Sequence, residues 1–349
     1  MNYEVTIGIP VFNIERYIRT MLESALAQTF PSIEFLICDD CGIDGSIDIV
    51  KEYQQTHPRG KDIRIIRQPQ NMGIGSGRNR MMSEARGRYF YSLDGDDTIS
   101  PQTIELLYNA AKNYQAELVY GSYERIYVKD GQQTGIEPVV LPNRVFMKPD
   151  EYACFAYGRV YTMNWNWLID MDVIRRNHLK VTPVGHGYGE DFTFTIDLPT
   201  YVTRVVLLSD LTYQYYIRDK DNHQKRRKKL ERSQLDIAFD TIEQKKRRHP
   251  LLRDKAYEAT RCYYLMMYNY SFISEILSRK RSERPVYSAA ELRNFMRHPM
   301  TLGEIIHSQT ARGSNIFYWL LGKLTPSISI LIMIFAVKMK RRERPACLF

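Results

Sequence analysis

Cysteine is scarce in this chain of 349 residues: there are five, an odd number with no framework spacing. That excludes a disulfide-stapled scaffold and suits a reducing compartment. Cys38 and Cys41 form a C-x-x-C, but neither a second pair nor a histidine pair completes a zinc site, so they read as two small residues at a strand end. The opening MNYEVTIGIP lacks the basic-then-apolar pattern of a secretory signal. Internal repeats and low-complexity stretches are absent, and no glycine occurs from 225 to 300. Long apolar runs are missing except near residues 316–337. No glycine-rich phosphate loop follows the first apolar run, where Pro10-Val11-Phe12-Asn13 stands, and this counts against a sugar nucleotidyltransferase.

What remains is a globular composition, 44% hydrophobic and 26% charged, which excludes wholesale disorder. The net charge of +9 conceals an asymmetry: residues 1–217 hold 21 Lys and Arg against 27 Asp and Glu, residues 218–349 hold 28 against 13. A basic tail on an acidic body points to a polyanionic surface. No nucleic-acid module signature accompanies the charge, so a non-catalytic nucleic-acid-binding protein is the weaker reading and an anionic membrane surface the expected partner.

The apolar pattern predicts an α/β chain. Val5–Pro10 is a β-branched run of the kind buried on both faces of a parallel sheet. Glu15 to Gln28 carries a helical stripe at Tyr17, Ile18, Met21, Leu22, Ala25 and Leu26. Strands follow at Glu34–Cys38, Ile63–Ile66 and Tyr89–Leu93, with helices from Ser46 to Tyr53, capped by Asp44 or Ser46, and from about Ser76 to Arg86. This rhythm gives an open, mostly parallel sheet flanked by helices, with ligands bound beyond the carboxyl ends of the strands. Gly73, Gly75 and Gly77 lack the spacing of a dinucleotide fingerprint; they read as a flexible loop entering a helix, with Arg78 available to a diphosphate. From Leu118 to about Arg218 short strands and loops alternate, and residues 226–300 read as helical, with an aromatic core stripe at Tyr263, Tyr264, Met267, Tyr268 and Phe272.

The stretch around which the chain is organised is Asp94-Gly95-Asp96-Asp97, at the end of the fourth strand. Carboxylates this close raise one another's pKa unless something positive sits among them. Asp-x-Asp offers hard oxygen ligands that leave room for phosphate oxygens, as Mg²⁺ or Mn²⁺ requires, and Gly95 lets backbone and ligand approach. The bland alternative is a solvated acidic turn with an aspartate capping a helix at Pro101.

The ordered motifs IPVFN (9–13), SALAQTF (24–30), EFLICDDCGIDGS (34–46), NMGIGSGRN (71–79) and YSLDGDD (91–97) resemble the nucleotide-binding half of family 2 glycosyltransferases of the GT-A fold. WNWL (165–168) and GEDFTF (189–194) resemble its acceptor half. The resemblance implies a GT-A domain over 1–225, nucleotide-binding in 1–110 and acceptor-binding in 111–225, with a helical basic extension over 226–349. It implies an inverting hexosyl- or N-acetylhexosaminyltransferase in bacterial surface polysaccharide synthesis, using a nucleotide-sugar donor, UDP-linked, and a glycan or lipid-linked acceptor. By the same resemblance Phe12 lies against the base, Asp39 or Asp40 reads its edge, Asp94 holds the ribose side and Asp96 ligates the metal. Pro10, Asn13, Asn71, Gly73, Arg78, Gly95 and Glu190 belong to the same donor site, Trp165 lines a sugar pocket, and Asp191 is the general base. Trp167 stands where the family commonly has Lys, Val181 where an aromatic is common, and Arg218–Lys229 lacks the usual serine-containing ending.

A glycosidase needs two opposed carboxyls several Å apart; Glu190 and Asp191, adjacent in sequence, point in different directions. In residues 316–337, Lys323 and Pro326 argue against a span. The expectation is a monotopic anchor on the cytoplasmic face of the membrane, its basic cluster from Lys338 to Arg344 at the headgroups, with a core helix as the alternative.

Overall fold

The computed structural model describes residues 3–148, 164–181, 198–218, 289–308 and 312–324, with isolated positions elsewhere. The chain divides into two compact units, Met1–Tyr152 with Tyr161–Ile242, and Ala153–Val160 with Glu243–Phe349.

In the first unit β1 (Tyr3–Val11) buries Val5, Ile7, Ile9 and Val11 on one face and Thr6 on the other, as a central strand must. The helix α1 (Glu15–Leu26) packs Ile18, Met21, Leu22, Ala25 and Leu26 inward. There follow β2 (Ile33–Asp39), α2 (Ser46–Thr56), β3 (Ile63–Arg67), α3 (Ile74–Glu84), β4 (Gly87–Ser92), β5 (Thr98–Ile99) and α4 (Thr103–Asn113). Then come β6 (Leu118–Lys129), β7 (Gln132–Val139), β8 (Arg144–Phe146), β9 (Trp167–Asp170), α5 (Met171–Arg176) and β10 (Val205–Arg218).

The sheet runs β3-β2-β1-β4-β9-β6-β10-β5, with β7 beside β6 and β8 beside β10. From β3 to β4 all pairs are parallel; β9 joins β4 and β6 antiparallel, and β6 pairs parallel with β10. The open sheet flanked by helices is the one expected, its nucleotide-binding half parallel and the rest mixed. The region read as short strands instead holds two long ones, β6 of 12 residues and β10 of 14. Register sets the ligand edge: Val11 lies opposite Asp39, Asp39 opposite Arg67, and Gly8 opposite Ser92. The polar segments after β1, β2, β3 and β4 therefore meet on one rim.

Three local expectations change. The helix α3 begins at Ile74, so Gly75 and Gly77 are buried within it and only Gly73, at φ 81°, belongs to the loop. A Cβ on Gly77 would lie 3.5 Å from Cys38 Sγ, which shows how closely α3 packs on β2. The acidic turn leads into β5, and α4 starts only at Thr103 behind Gln102, so no aspartate caps it. The N-cap of α2 is Gly45, with no side-chain cap bond, where Asp44 or Ser46 was expected; Asp44 instead closes the turn before the helix, accepting the Ser46 amide at 3.1 Å and its hydroxyl at 2.6 Å.

In the second unit α6 (Ala289–Met296), α7 (Leu302–His307) and α8 (Arg312–Leu321) are described. A Thr301–Glu304 capping box starts α7. Met266, Tyr270, Ile273, Met296, Tyr318 and Leu321 form one apolar cluster, and Cys262, Met300 and Ile305 another. The stripe expected at 263–272 lies outside the described residues, and the buried positions described there sit in another register. Among the described residues no helix is long and apolar enough to cross a membrane. The helix α8 ends at Leu321, before Pro326, and Lys323 Nζ sits 4.6 Å over the Trp319 ring. Beyond the buried face of α8, Leu320, Leu324, Ile328 and Ile332 are exposed.

Candidate active site

Each strand end contributes differently to the rim. After β1, Phe12 is partly exposed, and Asn13 adopts φ 52° and accepts the Ile43 amide at 2.8 Å, joining this loop to the one after β2. After β2, Asp39 accepts the Cys41 amide at 2.9 Å and pairs with Arg67 at 3.4 Å. Asp40 points to the third loop, taking the amides of Met72 at 2.8 Å and Gly73 at 3.0 Å, while Asn71 also accepts from Gly73 at 3.2 Å. Two adjacent aspartates thus do different work: Asp40 is engaged in holding the loop that opens α3.

Cys38 is buried in β2, where burial, with Asp40 adding, pushes its thiol up to about 12. Such a thiol is protonated at neutral pH and inert. Cys41 donates to the Gln68 carbonyl at 3.1 Å from a residue at φ 60°. The C-x-x-C is two packing residues at a strand end.

The Asp94–Asp97 turn is pinned on several sides. A Cβ on Gly95 would meet Ile14 Cδ1 at 2.4 Å and the Pro10 carbonyl at 2.8 Å, so this position has room only for glycine, and what it lies against is β1's end. Asp94 is held by Arg78 Nη2 at 2.8 Å, and that side chain is buried on α3. Asp96 is the outward member, its side chain 42% exposed, with Arg218 Nη1 at 3.4 Å. Arg218 Nη2 also donates to the Asp96 carbonyl at 2.7 Å, and its guanidinium lies 4.2 Å from the Tyr17 ring centre and 4.6 Å from that of Tyr216. Asp97 is buried; desolvation, with Asp96 and Asp94 adding, holds its carboxyl well above the ordinary range.

Two arginines therefore supply the positive charge that the three acids demand, and the expectation of a metal no longer follows from unpaired charge alone. Among the described residues no three metal-ligating side chains converge. The donor set still fits Mg²⁺ or Mn²⁺ of the kind bound through one or two carboxylates and completed by phosphate oxygens.

The profile of Glycosyl transferase family 2 matches residues 6–176, the whole of this rim with its four strands. Residues 6–176 are a glycosyl transferase family 2 domain. The protein EpsH of Bacillus subtilis is 30% identical over 234 residues, covering 66% of this chain and 66% of EpsH. Poly(ribitol-phosphate) beta-glucosyltransferase of Bacillus spizizenii is 26% identical over 225 residues, covering 63% of this chain and 33% of that protein. The chain thus spans less than two thirds of either relative. The crystal structure of S. aureus TarS 1–349 in complex with UDP-GlcNAc superposes with a TM-score of 0.63 at 18% identity, over 91% of this chain and 90% of that one. That likeness shows the GT-A fold.

In this family 2 domain, Pro10, Phe12, Asn13, Asp39, Asp40, Asn71, Gly73, Arg78, Asp94, Gly95 and Asp96 all lie at the carboxyl-end rim or directly beneath it. Trp165 sits elsewhere: it is buried, stacked on Tyr213 at 4.3 Å and Tyr215 at 5.2 Å, with Tyr123 edge-on at 4.9 Å. Trp167 is core as well, beside Phe90 and Phe194, and Val181 is buried, exchanging hydrogen bonds with Asn79. Glu190 and Asp191 lie outside the described residues. Sequence reasoning missed Tyr213, Tyr216 and Arg218. The signal was the polar alternation of Tyr-Gln-Tyr-Tyr-Ile-Arg, a strand whose hydroxyls and guanidinium need acidic partners.

Proposed function

We propose that the chain is an inverting glycosyltransferase that moves a hexosyl or N-acetylhexosaminyl group from a UDP-linked donor to a hydroxyl of a glycan or lipid-linked acceptor in surface polysaccharide synthesis. The observation that carries this reading is the convergence of Phe12, Asp39 and the Asp94–Asp97 turn on one rim of a family 2 domain. The UDP-GlcNAc in TarS and the polyol-phosphate acceptor in the name of the Bacillus spizizenii relative support the donor and acceptor classes.

Phe12 would pack on the base. Asp39 or Asp40 would read its edge; Asp40 already takes two loop amides, and Asp39 takes the Cys41 amide and pairs with the exposed Arg67. Asp94, oriented by Arg78, would take the ribose side. A Mg²⁺ or Mn²⁺ held by Asp96 would spread the charge that develops on the leaving diphosphate. In the reaction the acceptor oxygen forms a bond to the anomeric carbon as the bond to the diphosphate oxygen breaks. The diphosphate leaves with the electron pair, and the hydroxyl proton passes to a carboxylate, for which Asp191 is the candidate.

The active site would face the cytoplasm, where nucleotide sugars are made. The exposed Leu320, Leu324, Ile328 and Ile332 with the cluster from Lys338 to Arg344 would rest on the anionic inner leaflet. Because Tyr318 and Leu321 are core, this is better tested by replacing the exposed apolar residues with serine than by truncation; flotation on anionic vesicles equal to that of the native chain rules the anchor out.

The test of the activity is a panel of nucleotide sugars scored for nucleoside diphosphate release with and without chelator. Release from one or two UDP-sugars, dependent on acceptor, is expected. Salt-dependent retention on nucleic acid without turnover of any nucleotide sugar would overturn the reading.

A further inference from the structure

The acidic turn has an anchor that the donor-binding roles leave unexplained. Asp97 Oδ2 accepts the Tyr213 hydroxyl at 2.8 Å, and Oδ1 accepts the Tyr216 amide at 2.9 Å. Its own amide closes the turn onto the Asp94 carbonyl at 3.2 Å, and the Asp94 amide donates to Tyr213 Oη at 3.3 Å. Tyr213 is itself immobilised, buried against Trp165 and registered opposite Ile99 of β5. One carboxyl therefore ties the turn to β10 at two points three residues apart. Two residues past the second point, Arg218 returns to the carbonyl and carboxylate of Asp96. A turn forms without a buried carboxyl, and burying one is costly; what the arrangement secures is fixed geometry.

We propose that Asp97 is a positioning residue: through Tyr213 and Tyr216 it holds the Asp96 carboxylate and the Arg218 guanidinium in a set relation, so that the diphosphate end of the donor meets charges already in place. Only the identity of the ligand rests on the glycosyltransferase reading. The aromatic stack of Trp165 acts at one remove, as the back wall that keeps the Tyr213 hydroxyl aimed at the turn. Preorganised charges need no rearrangement when the diphosphate arrives, and misplacing them by an ångström costs rate or affinity steeply.

The experiment compares Asp97→Ala, Asp97→Asn and Tyr213→Phe in the full chain by hydrogen exchange and by steady-state kinetics. For Asp97→Ala and Tyr213→Phe the expected result is faster amide exchange confined to residues 94–98 and 213–218. Donor KM should rise about 10-fold to 10²-fold with acceptor KM unchanged. Asp97→Asn should recover most of the loss, since its carbonyl accepts from Tyr216 and its amide can donate to Tyr213. If Asp97→Ala does not fold, Tyr213→Phe, which removes one oxygen, carries both readouts. Unchanged exchange in the turn, or a lowered Tm with donor KM unaffected, overturns the proposal. If the native chain turns over no nucleotide sugar, the glycosyltransferase reading fails, while the exchange measurement still decides the clamp.

Discussion

The two ends of this sheet bury carboxylates in opposite ways. At the amino end, Glu34 is 1% exposed and takes the Thr6 hydroxyl at 2.7 Å, Arg64 at 2.8 Å and the Arg86 amide at 2.9 Å. Glu117 takes Arg176 and the amides of Thr203 and Arg204. Burial pushes its carboxyl up, but those donors outweigh it and hold it below the ordinary range. At the carboxyl end the balance tips the other way: Asp97 is held well above its range, and Asp96 stays exposed with one arginine at its edge. Carboxylates ringed by donors are scaffolding, Asp40 and Asp97 at the carboxyl end among them. Asp96, exposed beside them, is where a ligand can complete the shell.

This contrast yields graded expectations. The largest falls on the residue whose work is chemistry: Asp191→Asn should lower transfer by about 10²–10⁴-fold while calorimetry shows donor binding retained, the usual worth of a positioned base. Lost donor binding would make Asp191 a donor ligand instead. Next, Asp96→Ala should lower kcat/KM by about 10²–10³-fold with Tm nearly unchanged, because its carboxylate faces outward and supports little packing. A drop in Tm comparable to that of an amino-end variant would erase the distinction between the two ends.

Glu34→Ala should do the converse. Removing one partner of a buried pair leaves Arg64 with Glu84 alone, and stability should fall by about 3 kcal/mol in urea unfolding, with donor KM unaltered in the folded fraction. The smallest effect concerns the second unit. His298 accepts the Met300 amide at 3.1 Å and lies 3.0 Å from Asn315 Oδ1, and burial lowers its pKa below 6.5. The stability this buried neutral ring contributes is present above pH 6.5 and is lost as pH falls through the lower folded value. Amide protection factors in residues 289–308 and 312–324, with the pH dependence of intrinsic exchange divided out, should therefore fall in mild acid, and a His298→Gln variant should flatten that dependence.

The strands and helices of residues 3–92 were legible because each obeys one period, β-branched runs buried on both faces and stripes at helical spacing, whereas β5 and α4, which follow the acidic turn, were not assigned. Their boundaries shift by a few residues where hydrogen bonding extends beyond the apolar core, as at Asp39 and Val11. The region from 118 to 218 was less legible. The strands β6 and β10 are long and tyrosine-rich, and their pairing is mixed, so no single alternation marks them. Trp165 shows the limit of composition: an aromatic beside a site reads equally as a sugar platform or as the packing behind one, and only its stacking on Tyr213 and Tyr215 assigns it to packing.

The sequence by itself determined that three acids end the fourth strand, that the rim would lie at the carboxyl ends, and that the chain's charge is divided. These are local matters of period, spacing and residue chemistry. The tertiary structure alone decided which cations meet which acids. Arg78 and Arg218 are 16 and 122 residues from their partners Asp94 and Asp96, a separation no spacing rule bridges. It likewise decided that Asp40 serves a loop and Asp97 a strand, because a carboxylate's role is set by the donors that the folded chain brings within 3 Å of it.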